Sequence, residues 1–146
     1  MIRSLQNIDI DQVAEIWLHT NIEAHDFIPK QYWCGNYDAV KGMFLQAEIY
    51  VQKNEKCGEI QGFIGLNGNH IEGLFVSGKA QSCGIGKQLL NYAKKIKNEL
   101  SLCVYEKNVR ALKFYQRENF MICSEDTDET TGEKEYAMIW KKDGEK

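Results

Sequence analysis

The sequence predicts a mixed α/β fold of the α+β kind: a mostly antiparallel seven-stranded sheet flanked by about four helices. Three observations carry this. Apolar residues recur at helical spacing in four stretches and as short runs in the others. The turn at residues 54–58 and the Asn67-Gly68 pair each join two consecutive runs, so the middle strands form antiparallel hairpins. A strand at residues 70–76 leads through a small-residue loop and a helix into another apolar strand. Such a crossover makes the two strands parallel neighbours. The predicted order is β-α-α-β-β-β-α-β-α-β-β.

Residues 2–5 form the first strand, and Asp9 or Asp11 is placed to cap the helix after it. Val13, Ile16, Trp17 and Thr20 recur along that helix. His25-Asp26-Phe27-Ile28-Pro29 ends it, because proline keeps the residue before it extended and suits the first turn of a new helix. The second helix, residues 29–46, carries Tyr32, Trp33, Tyr37, Val40, Met43 and Phe44, so it lines either the core or a pocket. Residues 48–53, 59–66 and 70–76 follow as the three hairpin strands. Residues 87–96 are helical, with Leu89, Leu90, Ala93 and Ile96 on one face. After the strand 100–105, Asn108 opens another amphipathic helix with Ala111, Leu112, Phe114 and Tyr115, ended by Glu118-Asn119-Phe120. Residues 120–123 and 135–140 are the last strands, with a polar loop over 125–134.

At 146 residues the chain is read as one domain, 1–146, with one core. A net charge of -3 argues against nucleic acid as the main ligand, since binders of phosphate backbones are usually basic. No apolar run approaches the roughly 18 residues of a membrane helix, and the first residues lack a signal-peptide core. The expected setting is the cytoplasm. Five scattered cysteines with no C-x-x-C pair point to reduced thiols, with no disulfide framework and no metal site.

The chemistry gathers in the loop Gln81-Ser82-Cys83-Gly84-Ile85-Gly86-Lys87. The first N–H groups of a helix have no partner inside it and sit at the positive end of its dipole, and glycine lets an anion come close. The loop should therefore hold a phosphate-bearing cofactor. It is not a Walker A loop, because Gln81 stands where the first glycine belongs and Gln88 replaces the Ser/Thr. Nor is it a dinucleotide fingerprint, because the third glycine position is Leu89 and antiparallel hairpins precede it. What remains, Q-x-x-G-x-G, resembles the acetyl-coenzyme A loop of the GCN5-related N-acetyltransferase (GNAT) superfamily. Leu74-Phe75-Val76 before it, Gly86-Lys87-Gln88-Leu89-Leu90 after it and Asn108-Val109-Arg110-Ala111-Leu112-Lys113-Phe114-Tyr115 downstream are similar to that family's strand end, helix start and N-x-x-A-x-x-F-Y signature. Asn119 replaces the usual glycine of the G-F element, a mild departure because asparagine tolerates the left-handed conformation. The segments around Trp17, His25–Ile28 and Tyr32-Trp33 resemble the small bacterial YiaC/YjaB-type branch, whose YiaC-type members acetylate peptidyl lysine.

The resemblance implies an acetyl-CoA-dependent N-acetyltransferase acting by direct attack of a primary amine in a ternary complex, with a protein lysine favoured. It implies that Gln81, Ser82, Cys83, Gly84, Ile85, Gly86 and Lys87 wrap the pyrophosphate. Phe75 and Val76 would offer backbone groups to the pantetheine arm between two splayed strands. Asn108, Ala111, Phe114 and Tyr115 would supply a second wall, and Tyr115 the proton for the leaving thiolate. Tyr115 could instead be plain core, and Asn108 a plain helix cap. Three base candidates stay open: Glu72 on the strand the family uses for this purpose, His70 two residues before it, and His25 in the loop between the first helices. An exposed amine losing its proton to water is a fourth route. On the acceptor side stand His25, Phe27, Tyr32, Trp33 and His70, with Trp17 and Tyr37 near them. The partners expected are acetyl-CoA and an amine, with no nucleic acid and no membrane, in a monomer or homodimer. The alternatives are a small-molecule acceptor (amino acid, polyamine or antibiotic), a non-catalytic acyl-CoA sensor, and a transferase acting on aminoacyl-tRNA.

Overall fold

The computed structural model describes residues 1–81 and 84–142. Its elements are β1 (Ile2–Ser4), α1 (Ile10–Ala24), α2 (Lys30–Met43), β2 (Glu48–Lys53), β3 (Ile60–Asn67), β4 (His70–Val76), α3 (Ile85–Ile96), β5 (Glu99–Tyr105), α4 (Val109–Arg117), β6 (Met121–Thr127) and β7 (Lys134–Lys141). The predicted order is the observed one. The seven strands lie in the order β1-β2-β3-β4-β5-β7-β6. Every neighbouring pair is antiparallel except β4 and β5, which run parallel as the crossover requires.

Helices cover the sheet on both faces. Leu89, Leu90 and Ala93 of α3 and Tyr115 of α4 pack on Ile64, Leu66, Leu100, Leu102 and Met138. On the other face Val13 and Ala14 of α1, with Phe44, pack on Ile49, Val51 and Phe63. This two-sided cover explains why β3 shows no polar face: Phe63 and Ile64 point to opposite cores and both are buried.

Four local expectations are corrected. Asp9 does not cap α1. Its carboxylate pairs with Arg3 at 2.7 and 3.0 Å and accepts from the Gln6 backbone at 2.9 Å, tying β1 to the helix start. Helix α3 begins at Ile85, two residues early, because Gly84 takes up the left-handed conformation (φ 79°) before it; at its far end Ile96 is exposed rather than packed. Strand β6 runs on to Thr127 through residues read as loop, because β7 supplies the ladder. Glu125, Asp126 and Thr127 pair with Tyr136, Glu135 and Lys134, and Lys134 reaches Glu125 at 2.9 Å. Asn119 does adopt the left-handed conformation, at φ 74°.

Two features shape what lies between α3 and the sheet. The first is Gly62 on β3. A Cβ there would stand 2.7 Å from the Phe75 carbonyl oxygen and 3.2 Å from both Ile85 and Leu89. Glycine thus lets the first turns of α3 settle onto β3 and β4. Gly62→Ala is expected to cost about 1–3 kcal/mol, as overpacking does. A urea midpoint equal to the wild type's would refute this. The second is the join of β4 and β5. Their only register pair is His70 with Ser101, where the Ser101 N–H donates to the Asn69 carbonyl at 2.9 Å. Beyond it, among the described residues, the strands have no ladder, and the end of β4 borders an opening. No described helix is long and apolar enough to cross a membrane.

Candidate active site

The opening is a cleft of about 850 Å³. Its floor is Leu74, Phe75 and Val76 at the end of β4. One wall is the start of α3, with Gln81, Gly84, Ile85, Gly86 and Lys87. The other is α4, with Asn108, Ala111, Phe114 and Tyr115. Every described residue expected to meet the cofactor therefore lies on this cleft. Ser82 and Cys83 belong to the same loop but lie outside the described residues. The last turns of α1 close a further side, with Thr20, Asn21, Glu23, Ala24 and His25.

The walls are set by local chemistry. Gly86 lies where α3 faces Val76 and α4: a Cβ there would meet Val76 at 3.6 Å and Phe114 at 3.7 Å, ordinary packing distances. Asn108 caps α4, its Oδ1 accepting from the Ala111 N–H at 3.2 Å. That bond fixes the amide's orientation, so its NH2 end faces His25, whose Nε2 lies 3.1 Å away. An NH2 group can only donate here, so His25 Nε2 is the acceptor and the neutral ring carries its proton on Nδ1. Burial agrees: it lowers the His25 pKa below the ordinary imidazole value, with the Asn21 backbone partly opposing.

Tyr115 is 8% exposed, with its ring edge-on to Phe114 and Phe120. Burial raises its pKa well above the ordinary phenol value. The hydroxyl is thus protonated at any working pH.

The acceptor-side residues divide. His25 is on the cleft. Phe27 and Trp33 stand behind it: His25 stacks on Trp33 at 5.4 Å and meets Phe27 edge-on at 5.6 Å, and Tyr32 meets Trp33 at 4.9 Å. Tyr105 joins this group, edge-on to His25 at 5.2 Å, while its hydroxyl donates to Asp128 at 2.6 Å. The ring cluster therefore braces the loop between α1 and α2 against the β6–β7 connection. Trp17 packs edge-on against Trp33, and Tyr37 donates to Glu15 at 2.8 Å. Glu72 is exposed and is not on the cleft wall. Neither is His70, which is bonded to Ser101 Oγ at 3.0 Å at the join of β4 and β5. The cleft also takes in Lys107, Arg110, Lys113 and Arg117, which are absent from the expected set. The recurrence of Arg110, Lys113 and Arg117 along α4 was the signal available for those three.

The family model for the acetyltransferase (GNAT) domain matches residues 45–122. The chain belongs to the GNAT family. The match spans β2 through the start of β6 and so contains most of the cleft. This GNAT chain is 32% identical over 142 residues to the peptidyl-lysine N-acetyltransferase YiaC of Escherichia coli, covering 96% of each. It superposes on the solution structure of apo YjaB from Escherichia coli with a TM-score of 0.85 at 26% identity, covering 95% of each chain. A PaiA N-acetyltransferase of Thermoplasma acidophilum in complex with coenzyme A shares the fold, with a TM-score of 0.78 at 20% identity over 97% of this chain and 98% of that one. This GNAT protein is an N-acetyltransferase, and acetyl-CoA is its acyl donor. The cleft suits that donor. It lies at the large end of the usual range for small-molecule sites, and a glycine-flanked helix start faces it.

Proposed function

We propose that this GNAT protein acetylates lysine side chains of proteins in the cytoplasm, by direct attack of the amine on the donor held in the cleft. One observation carries the reading: Tyr115, Asn108, His25 and the described residues of the glycine loop, distant in sequence, line one cleft. The names of the relatives, YiaC and YjaB, favour peptidyl lysine as the acceptor.

In this reading the backbone N–H groups from Gly84 to Lys87 hold the pyrophosphate, with Ser82 and Cys83 in the same loop. Phe75 and Val76 present backbone groups toward the pantetheine arm. The bound donor supplies the acetyl group as a thioester. Tyr115, kept protonated by burial, gives its proton to the departing sulfur. His25 takes the amine's proton at Nε2. It is a neutral base because burial disfavours the imidazolium, and an amine bound between His25 and Asn108 replaces the amide as the donor to that nitrogen. The ring cluster of Phe27, Tyr32, Trp33 and Tyr105 fixes the His25 ring plane.

The test is free-thiol release from acetyl-CoA with lysine peptides, free amino acids and polyamines. Turnover on the peptides is expected; turnover on the small amines alone would overturn the acceptor reading. For the base, the rate should fall on the acid side as His25 takes a proton, at a pH below the usual imidazole range. That limb should vanish in His25→Ala and persist in Glu72→Gln and His70→Ala. Its survival in His25→Ala would remove His25 from the role.

A further inference from the structure

The cleft carries more positive charge than the glycine loop requires. Lys87, Lys107, Arg110, Lys113 and Arg117 all line it, against the single carboxylate of Glu23. Lys107 is neutralised by Glu133 at 3.2 Å. Among the described residues the other four have no ion-pair partner within 4.0 Å. Yet the chain as a whole has a net charge of -3. A local excess of cations in an acidic protein marks a place where an anion is expected.

Their arrangement is specific. Arg110, Lys113 and Arg117 stand at i, i+3 and i+7, which places them on one face of α4 within an arc of about 60° and over about 10 Å of helix. Like charges three and four residues apart weaken a helix. Here nothing on α4 offsets them, because the helix has no acidic residue between Val109 and Arg117. The stripe borders Phe114, which packs against Gly86 at the start of α3. At its near end Arg110 donates to Gln81 Oε1 at 3.3 Å, so the row begins beside the glycine loop and runs away from it along the cleft.

The donor's own charges fit this row. Coenzyme A carries a diphosphate and a separate 3′-phosphate on the ribose. The N–H groups at the start of α3 can serve the diphosphate, but one helix start does not also reach a phosphate on the far side of a ribose. That group needs side-chain cations. We propose that the α4 stripe, above all Lys113 and Arg117, is the binding site for the 3′-phosphate. The enzyme then distinguishes coenzyme A from dephospho-coenzyme A, and from acyl-phosphopantetheine groups that lack the nucleotide altogether. This rests on the assignment of the glycine loop to the diphosphate, and it adds a second anion subsite with its own residues.

The test measures binding rather than turnover. Dissociation constants are taken by calorimetry for coenzyme A and dephospho-coenzyme A, on the wild-type chain and on the Lys113→Ala/Arg117→Ala double variant. Arg110 is left intact because it touches the loop. The wild type should bind coenzyme A at least about 10-fold more tightly than dephospho-coenzyme A, the scale of a charge-assisted contact. The double variant should lose that preference through weaker coenzyme A binding alone, with dephospho-coenzyme A held as before. A Lys113→Glu/Arg117→Glu variant should reverse the preference. Equal wild-type affinity for the two ligands would overturn the proposal, and so would an equal loss for both in the double variant. If the wild type binds neither, the loop assignment falls and the stripe proposal with it. If both bind equally, only the stripe proposal falls.

Discussion

Tyr115→Phe is expected to lower kcat by about 10²-fold while acetyl-CoA binds as before, the scale lost when a general acid is removed. The ring sits between Phe114 and Phe120 and is almost fully buried, so phenylalanine keeps its packing. The hydroxyl is the group that is lost. Among the described residues it makes no hydrogen bond, so its removal strands no partner in the fold. A tyrosine with a raised pKa is a weak acid toward a thiolate whose parent thiol lies near 8.5, so its proton moves only as the carbon–sulfur bond breaks. The role thus predicts a loss in kcat and kcat/KM together, with donor affinity by calorimetry unmoved. Unchanged turnover would return Tyr115 to the core.

The largest stability effect is expected at Asp9, with Asp9→Ala costing about 3 kcal/mol. Asp9 is 2% exposed and bonded at both carboxylate oxygens to Arg3, with the Gln6 N–H as a third donor. Alanine leaves the Arg3 guanidinium facing a buried site without its counter-charge, and β1 loses its tie to α1. In a chain of this size the melting temperature should drop by roughly 10 °C. The same pair fixes an acid limb. The Arg3 hydrogen bond holds the Asp9 carboxyl below its ordinary value of 3.8, so its contribution is present above that pH and is lost as the pH falls through the lowered native value. The stability gap between wild type and variant should therefore narrow as the pH falls below 3.8, and a gap that stays constant through acid titration would contradict the pairing.

Most of the architecture was legible because its signals are local. Asn67-Gly68 fixes one hairpin, Pro29 the break between α1 and α2, and the glycine loop the parallel crossover. What was not legible depends on partners far along the chain. Asp9 is a good helix cap by type, but Arg3 competes for its carboxylate and wins because a two-pronged bond to a full positive charge outweighs one bond to a backbone N–H. Residues 124–126 are polar and lack strand propensity, and the stretch through Thr127 becomes strand because β7 offers a ladder. Within the site the same division holds. The residues expected at the cofactor are contiguous motifs, and every described one lies on the cleft. Two of the three base candidates, Glu72 and His70, lie on one strand, where the sequence shows neither burial nor the bulge near Gly65. Glu72 stays exposed off the cleft, whereas His25 arrives there from a distant loop and bonds to Asn108.

The single rung between β4 and β5 has a mechanical consequence. On one side, β1 to β4 form a continuous antiparallel ribbon; on the other, β5, β7 and β6 form a second. The two are fastened at the His70–Ser101 end and open toward the cleft, like a book bound along one short edge. A ligand that bonds to both open edges acts as a strut. Occupancy of the cleft should then be felt as added stiffness across the whole sheet, out to strands that never touch the ligand.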